Sequence, residues 1–92
     1  MAGTLHLVEL LDKLKGLHKG VLSPKEITDW ATDQYLLSAM GELELEPDHE
    51  EFISDMLILL MSQEDESFRL SNEELTQIII QIEARIAQKQ EQ

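Results

Sequence analysis

Carboxylates are the residues of this chain best supplied for chemistry. Glu42, Glu44, Glu46, Asp48, Glu50 and Glu51 put six acids within ten residues. Oxygen ligands at that density suit a hard cation such as calcium. The run lacks the Asp-x-Asp-x-Asp-Gly spacing and closing glutamate of a calcium-binding loop. Asp48, Glu50 and Glu51 also fall at a helix start, where the dipole favours negative charge. No metal site is expected. A second acidic cluster, Gln63-Glu64-Asp65-Glu66-Ser67, precedes the last helix, and the sequence leaves open whether the two clusters form one surface. His49-Glu50-Glu51-Phe52-Ile53 begins like the zinc-protease motif His-Glu-x-x-His but carries Ile53 where the second ligand belongs. His6, His18 and His49 are scattered, and His49 is read as a first-turn surface residue. Ser23 and Ser71 are explained as helix caps, and no Gly-x-Ser-x-Gly elbow is present. With no cysteine there is no thiol nucleophile, thiolate metal site or disulfide. The expectation is a protein that is not an enzyme and uses no cofactor.

The elements that would position these residues are helical. Leu22-Ser23-Pro24-Lys25-Glu26-Ile27 and Leu70-Ser71-Asn72-Glu73-Glu74-Leu75 share the pattern Leu-Ser-x-x-Glu-aliphatic. In each, the serine hydroxyl can accept the N–H three residues on, and the glutamate can reach back to the serine N–H. Together they form a capping box, with Leu22/Ile27 and Leu70/Leu75 at hydrophobic-staple positions. Pro24 sits in the first turn, where its missing N–H costs nothing. A third start is read at Asp48, with Pro47 before it and Glu51 three residues on. From there Phe52, Ile53, Met56, Leu57, Leu60 and Met61 recur at helical spacing, and Ile58 and Leu59 widen the apolar face. This segment is read as the most buried helix or as part of a subunit contact.

The last helix runs its stripe through Leu75, Ile78, Ile79, Ile82 and Ile86, with Ile80 outside it. Leu7, Leu10, Leu11, Leu14 and Leu17 make the first helix. The spacing predicts helices over 4–18, 24–40, 48–62 and 72–88 in a single domain spanning 1–92. Glu42-Leu43-Glu44-Leu45-Glu46 alternates like a strand, but no partner strand is evident. It reads as an extended acidic connector whose leucines tuck under the helices. The tail Gln88–Gln92 is expected to fray. The fold class is all-α: a compact bundle of about four short helices with that connector between helices two and three.

Charge narrows the partners. Residues 1–25 carry four lysines against Glu9 and Asp12, a net of +2. Residues 26–92 carry 17 acids against Arg69, Arg85 and Lys89, a net of −14, for −12 overall. Such a field repels nucleic-acid phosphates and anionic lipid, so neither is an expected partner. The longest apolar run, Met56–Met61, is far shorter than the roughly 20 residues that cross a bilayer. The start of the chain has no basic stretch ahead of a long apolar run, so it does not read as a signal peptide. With the absence of cysteine, these features fit a cytoplasmic protein.

Gly20-Val21-Leu22-Ser23-Pro24-Lys25-Glu26-Ile27-Thr28-Asp29-Trp30-Ala31 resembles a loosely defined group of small acidic, uncharacterised bacterial proteins. Their pattern is Gly-x-Leu-Ser-x-Glu-Glu-x-x-x-Trp-Ala, and Lys25 stands where an acid is usual. The resemblance implies more acidic helical chain after the motif and permits the role of an immunity protein that neutralises a toxin. The candidate partner-binding residues are Asp29, Trp30, Asp33, Glu42, Glu44, Glu46, Glu64, Asp65 and Glu66. Trp30 reads either as a core residue beneath helix one or as an interface anchor rimmed by Asp29 and Asp33. The expected function is a protein-interaction module for a basic protein partner, with a self-associating, homodimeric helical protein as the alternative.

Overall fold

Both serine capping boxes form. In the computed structural model, which describes residues 3–90, the Ser23 hydroxyl accepts from Glu26 N–H at 3.1 Å while Glu26 Oε1 accepts from Ser23 N–H at 3.1 Å. Ser71 and Glu74 repeat the exchange at 3.2 and 3.0 Å. These boxes open α2 (Pro24–Ala39) and α4 (Asn72–Gln90). The staple residues Ile27 and Leu75 are buried, with Leu22 and Leu70 packed against the same core.

The other two starts differ from the sequence reading. The first helix, α1, spans Leu7–Lys19, and Gly3–Leu5 ahead of it is a short strand, β1. The acidic connector contains a matching strand, β2 (Leu43–Leu45), paired parallel to β1 with Gly3 opposite Leu43 and Leu5 opposite Leu45. The connector therefore has the partner that its sequence neighbours could not supply. Leu5 lies two residues before Leu7, off the three- and four-residue spacing of the α1 leucines, so the helical stripe does not extend back over β1. As expected, Leu43 and Leu45 pack against the core.

The third helix, α3, spans Glu50–Leu60, starting and ending two residues inside the expected 48–62, with His49 at the N-cap. Asp48 adopts a left-handed φ of 73°, a conformation that aspartate tolerates better than most residues. It turns the chain from β2 into α3 instead of capping it, and His49 N–H donates to the Glu46 carbonyl at 3.1 Å. α1 ends on Gly20 at φ 79°, with Val21 and Leu22 N–H both donating to the Gly16 carbonyl. A side chain at Gly16 would meet Leu22 at 3.0 Å, so the missing Cβ lets the α1–α2 turn fold back onto α1.

The result is an all-α bundle of four helices with a minimal parallel strand pair beside the N-termini of α1 and α3. α1 packs chiefly on α4 and α2 on α3. The two pairs enclose one hydrophobic cluster built from Leu7, Leu10 and Leu14 of α1, Ile27 and Ala31 of α2, Ile53, Leu57 and Leu60 of α3, and Leu75 and Ile82 of α4. Ile80 is 53% exposed, as its position off the α4 stripe implies, whereas Ile58, read as widening the apolar face of α3, is 50% exposed. Among the described residues no helix is long and apolar enough to cross a membrane. α4 carries the chain as far as Gln90, and Glu91 and Gln92, in the tail expected to fray, lie outside the described residues.

Candidate functional site

Glu46 leaves the surface. It is 5% exposed, and its Oε1 accepts from Leu7 N–H at 2.9 Å. Leu7 opens α1, so a residue 39 positions away satisfies one of the N–H groups that a helix start leaves without a partner. Glu9 accepts from His6 N–H at 2.8 Å, and His6 Nδ1 lies 3.4 Å from Glu46. The ladder continues past β2 to bring the side chain there, with Glu46 N–H donating to the Leu5 carbonyl at 3.0 Å. As a partner-binding residue Glu46 is therefore withdrawn: its carboxylate faces α1, not solvent. No local pattern could reveal this, because the cap and the helix lie far apart in sequence.

The remaining acids stay outside but do not form one patch. Glu42 and Glu44 are exposed at the start of α3, and Glu64, Asp65 and Glu66 are exposed beyond its end. An 11-residue helix is roughly 16 Å long, which sets the separation. Asp65 also caps a 3-10 turn (Glu66–Phe68), accepting from Ser67 N–H at 2.9 Å. Gln63, part of the same acidic run in sequence, is buried instead. Its amide donates to the Leu59 and Phe68 carbonyls and accepts from Leu70 N–H, while Arg69 donates to the Gln63 and Glu64 carbonyls. This mesh holds the acidic loop in a fixed shape.

Asp29, Asp33 and Leu36 of α2 and its C-cap Met40 recur at four- and three-residue spacing and all are exposed, so they share the outer face. Lys25 Nζ lies 2.9 Å from Asp29 Oδ2. That hydrogen bond, together with the charges of Asp29 and Glu64, holds the Lys25 ammonium above the ordinary lysine range.

Trp30 does not share the Asp29–Asp33 face. It turns towards α1, half-buried and packed against the core. A groove of about 470 Å³ runs there, lined by Leu5, Val8, Glu9, Asp12, Lys13, Trp30 and Gln34. The acids that rim the tryptophan are thus Glu9 and Asp12 of α1. The signal for them was the polar face of α1, whose position against α2 only the tertiary fold supplies.

The histidines make separate contacts. His18 Nε2 lies 3.2 Å from Thr76 Oγ1. His49 is half-buried, not a free surface residue, with Nδ1 3.3 Å from Arg85 Nη1. The Arg85 guanidinium in turn stacks 4.0 Å from the Phe52 ring centre, tying α4 to α3. Among the described residues no group of three His, Asp or Glu side chains is placed to hold a metal ion. Against protein families, curated proteins and solved structures alike, this chain finds no match.

Proposed function

We propose that this chain is a non-enzymatic interaction module that binds a basic protein through its acidic surface, in the manner of an inhibitor or immunity protein. The observation that carries the reading is the disposition of its carboxylates. Among the described residues, ion pairs engage Glu46, Glu83 and Asp29, and Glu9, Glu26, Asp65 and Glu74 serve as caps. Asp33, Glu42, Glu44, Glu51, Asp55 and Glu64 face solvent with no such internal role. Unsatisfied charge of one sign accelerates encounter with a basic partner and discriminates against acidic ones. A bacterial, cytoplasmic setting accords with the resemblance of the α2 start and with the absence of cysteine.

The test is affinity capture from the native host at low and high salt, repeated with Asp33, Glu42, Glu44 and Glu64 reversed to lysine. The expected result is a basic protein retained at low salt by the wild type and lost by the variant. Retention indifferent to salt and to charge reversal would overturn the reading. Self-association is the second reading, favoured by the exposure of Ile80 and Ile58 on separate helices. Light scattering across concentrations decides it, since a strict monomer removes it.

A further inference from the structure

We infer that the groove between α1 and α2 at Trp30 is where a basic partner docks, and that it receives an arginine side chain flanked by apolar residues. The inference rests on the proposed binding of a basic protein and names its anchor. The floor is apolar: Leu5 is buried, Trp30 half-buried, and Val8 stands 59% exposed at the lip. The rim is acidic. The Asp12 carboxylate makes no hydrogen bond or ion pair among the described residues, and Glu9 commits only its Oε2, to His6 N–H.

The third observation concerns Lys13. Its ammonium lies 5.7 Å from the Trp30 ring centre. In a chain with 19 acids, it makes no ion pair with a carboxylate among the described residues. The indole face is therefore already a cation site, filled from within by a residue of the same helix as the acidic rim. An arginine suits this site better than Lys13 does. Its planar, weakly hydrated guanidinium stacks on indole while its N–H fork engages a carboxylate such as Asp12. Aliphatic neighbours of that arginine would lie against Val8. Lys13 then competes with the ligand and must swing aside when it enters.

Trp30 is the sole tryptophan, so its emission reports on the groove directly. The probes are acetyl-Leu-Arg-Leu-Arg-Leu-amide and the same peptide with glutamate for arginine, titrated at low salt into the full chain. The expected result is a saturable change in Trp30 emission with the arginine peptide only. K13Q should tighten binding roughly threefold by removing the competing cation, D12K should weaken it roughly tenfold, and E73K, at an exposed position on α4, should change it by less than about twofold. All three positions lie at the surface or half-buried, and circular dichroism verifies that each variant is folded. An unchanged emission up to millimolar peptide, an equal response to the glutamate peptide, or weaker binding by K13Q overturns the inference. If calorimetry finds arginine-peptide binding that D29K and D33K abolish while D12K and K13Q leave it intact, the basic-partner reading stands and the groove falls. If calorimetry finds no binding and no basic protein is captured from the host, both fall.

Discussion

A carboxylate that caps a helix from the far end of a connector ties two distant segments into one unit, and Glu46 is that carboxylate. Removing it leaves Leu7 N–H buried without its acceptor, which costs about 1–3 kcal/mol. E46A should lose stability by that amount in urea denaturation, and E46Q, whose amide oxygen can still accept, should lose distinctly less. An E46A protein as stable as the wild type would show the contact to be idle. Lys25 gives a complementary test by pH. Asp29 raises its pKa above the ordinary 10.5 in the folded chain. The support that the pair lends α2 is therefore complete below that ordinary value and is lost as pH climbs through the higher folded one. An NMR titration of the Lys25 side chain should place its midpoint above that of an unfolded lysine, and D29N should return it. Of these residue-scale facts only the caps Ser23 and Ser71 were legible in the sequence, because donor and acceptor there lie three residues apart. Glu46, Lys13 over Trp30, and Arg85 over Phe52 all join different elements, and their spacing carries no trace of it.

At the scale of elements, what sequence could read was periodicity and local capping. α2 and α4 begin where the two boxes place them, and the stripes of α1, α3 and α4 face one core. What escaped was short and non-local. β1 is three residues long and pairs with a strand 40 positions away, so neither length nor neighbours betray it. In sequence the α3–α4 junction is an acidic cluster, yet Gln63 within it is the organiser. Its amide closes three backbone hydrogen bonds between Leu59 and Leu70. Q63A should cost about 2 kcal/mol through the backbone groups it leaves unpaired, and Leu70 N–H should exchange with solvent faster than its neighbours in α4. By contrast, S23A and S71A should each cost about 1 kcal/mol. Their caps open different helices and share no partner, so the double variant should lose the sum within about 0.5 kcal/mol. A clear excess over that sum would mean that the two helix starts are coupled through the Leu17–Leu22–Leu70–Leu75 contact region between them.

Over the whole molecule, the net charge of −12 has a consequence for stability as well as for partners. Internal pairing relieves little of it. Lys15–Glu83 and Lys25–Asp29 are exposed contacts at 3.4 and 2.9 Å, and such pairs contribute little in water. The acidic clusters at the two ends of α3 and along the outer face of α2 add to the self-repulsion that a large net charge imposes on a compact chain. Salt screens that repulsion over about 10 Å at 0.1 M, while the core and the buried contacts of Glu46 and Gln63 are far less exposed to it. Added sodium chloride should therefore stabilise the protein, the reverse of its effect on a fold held by surface ion pairs. Between 10 mM and 0.5 M we expect a gain on the order of 1 kcal/mol, which for a chain of this size raises Tm by about 4–8 °C. Reversing Glu42, Glu44 and Glu64 to lysine should raise Tm at low salt and flatten the salt dependence. A wild-type Tm that falls as salt is added would mean that attraction outweighs repulsion on this surface. In that event the charge would no longer be a strain carried by the fold, and its bearing on a basic partner would rest on the Trp30 groove alone.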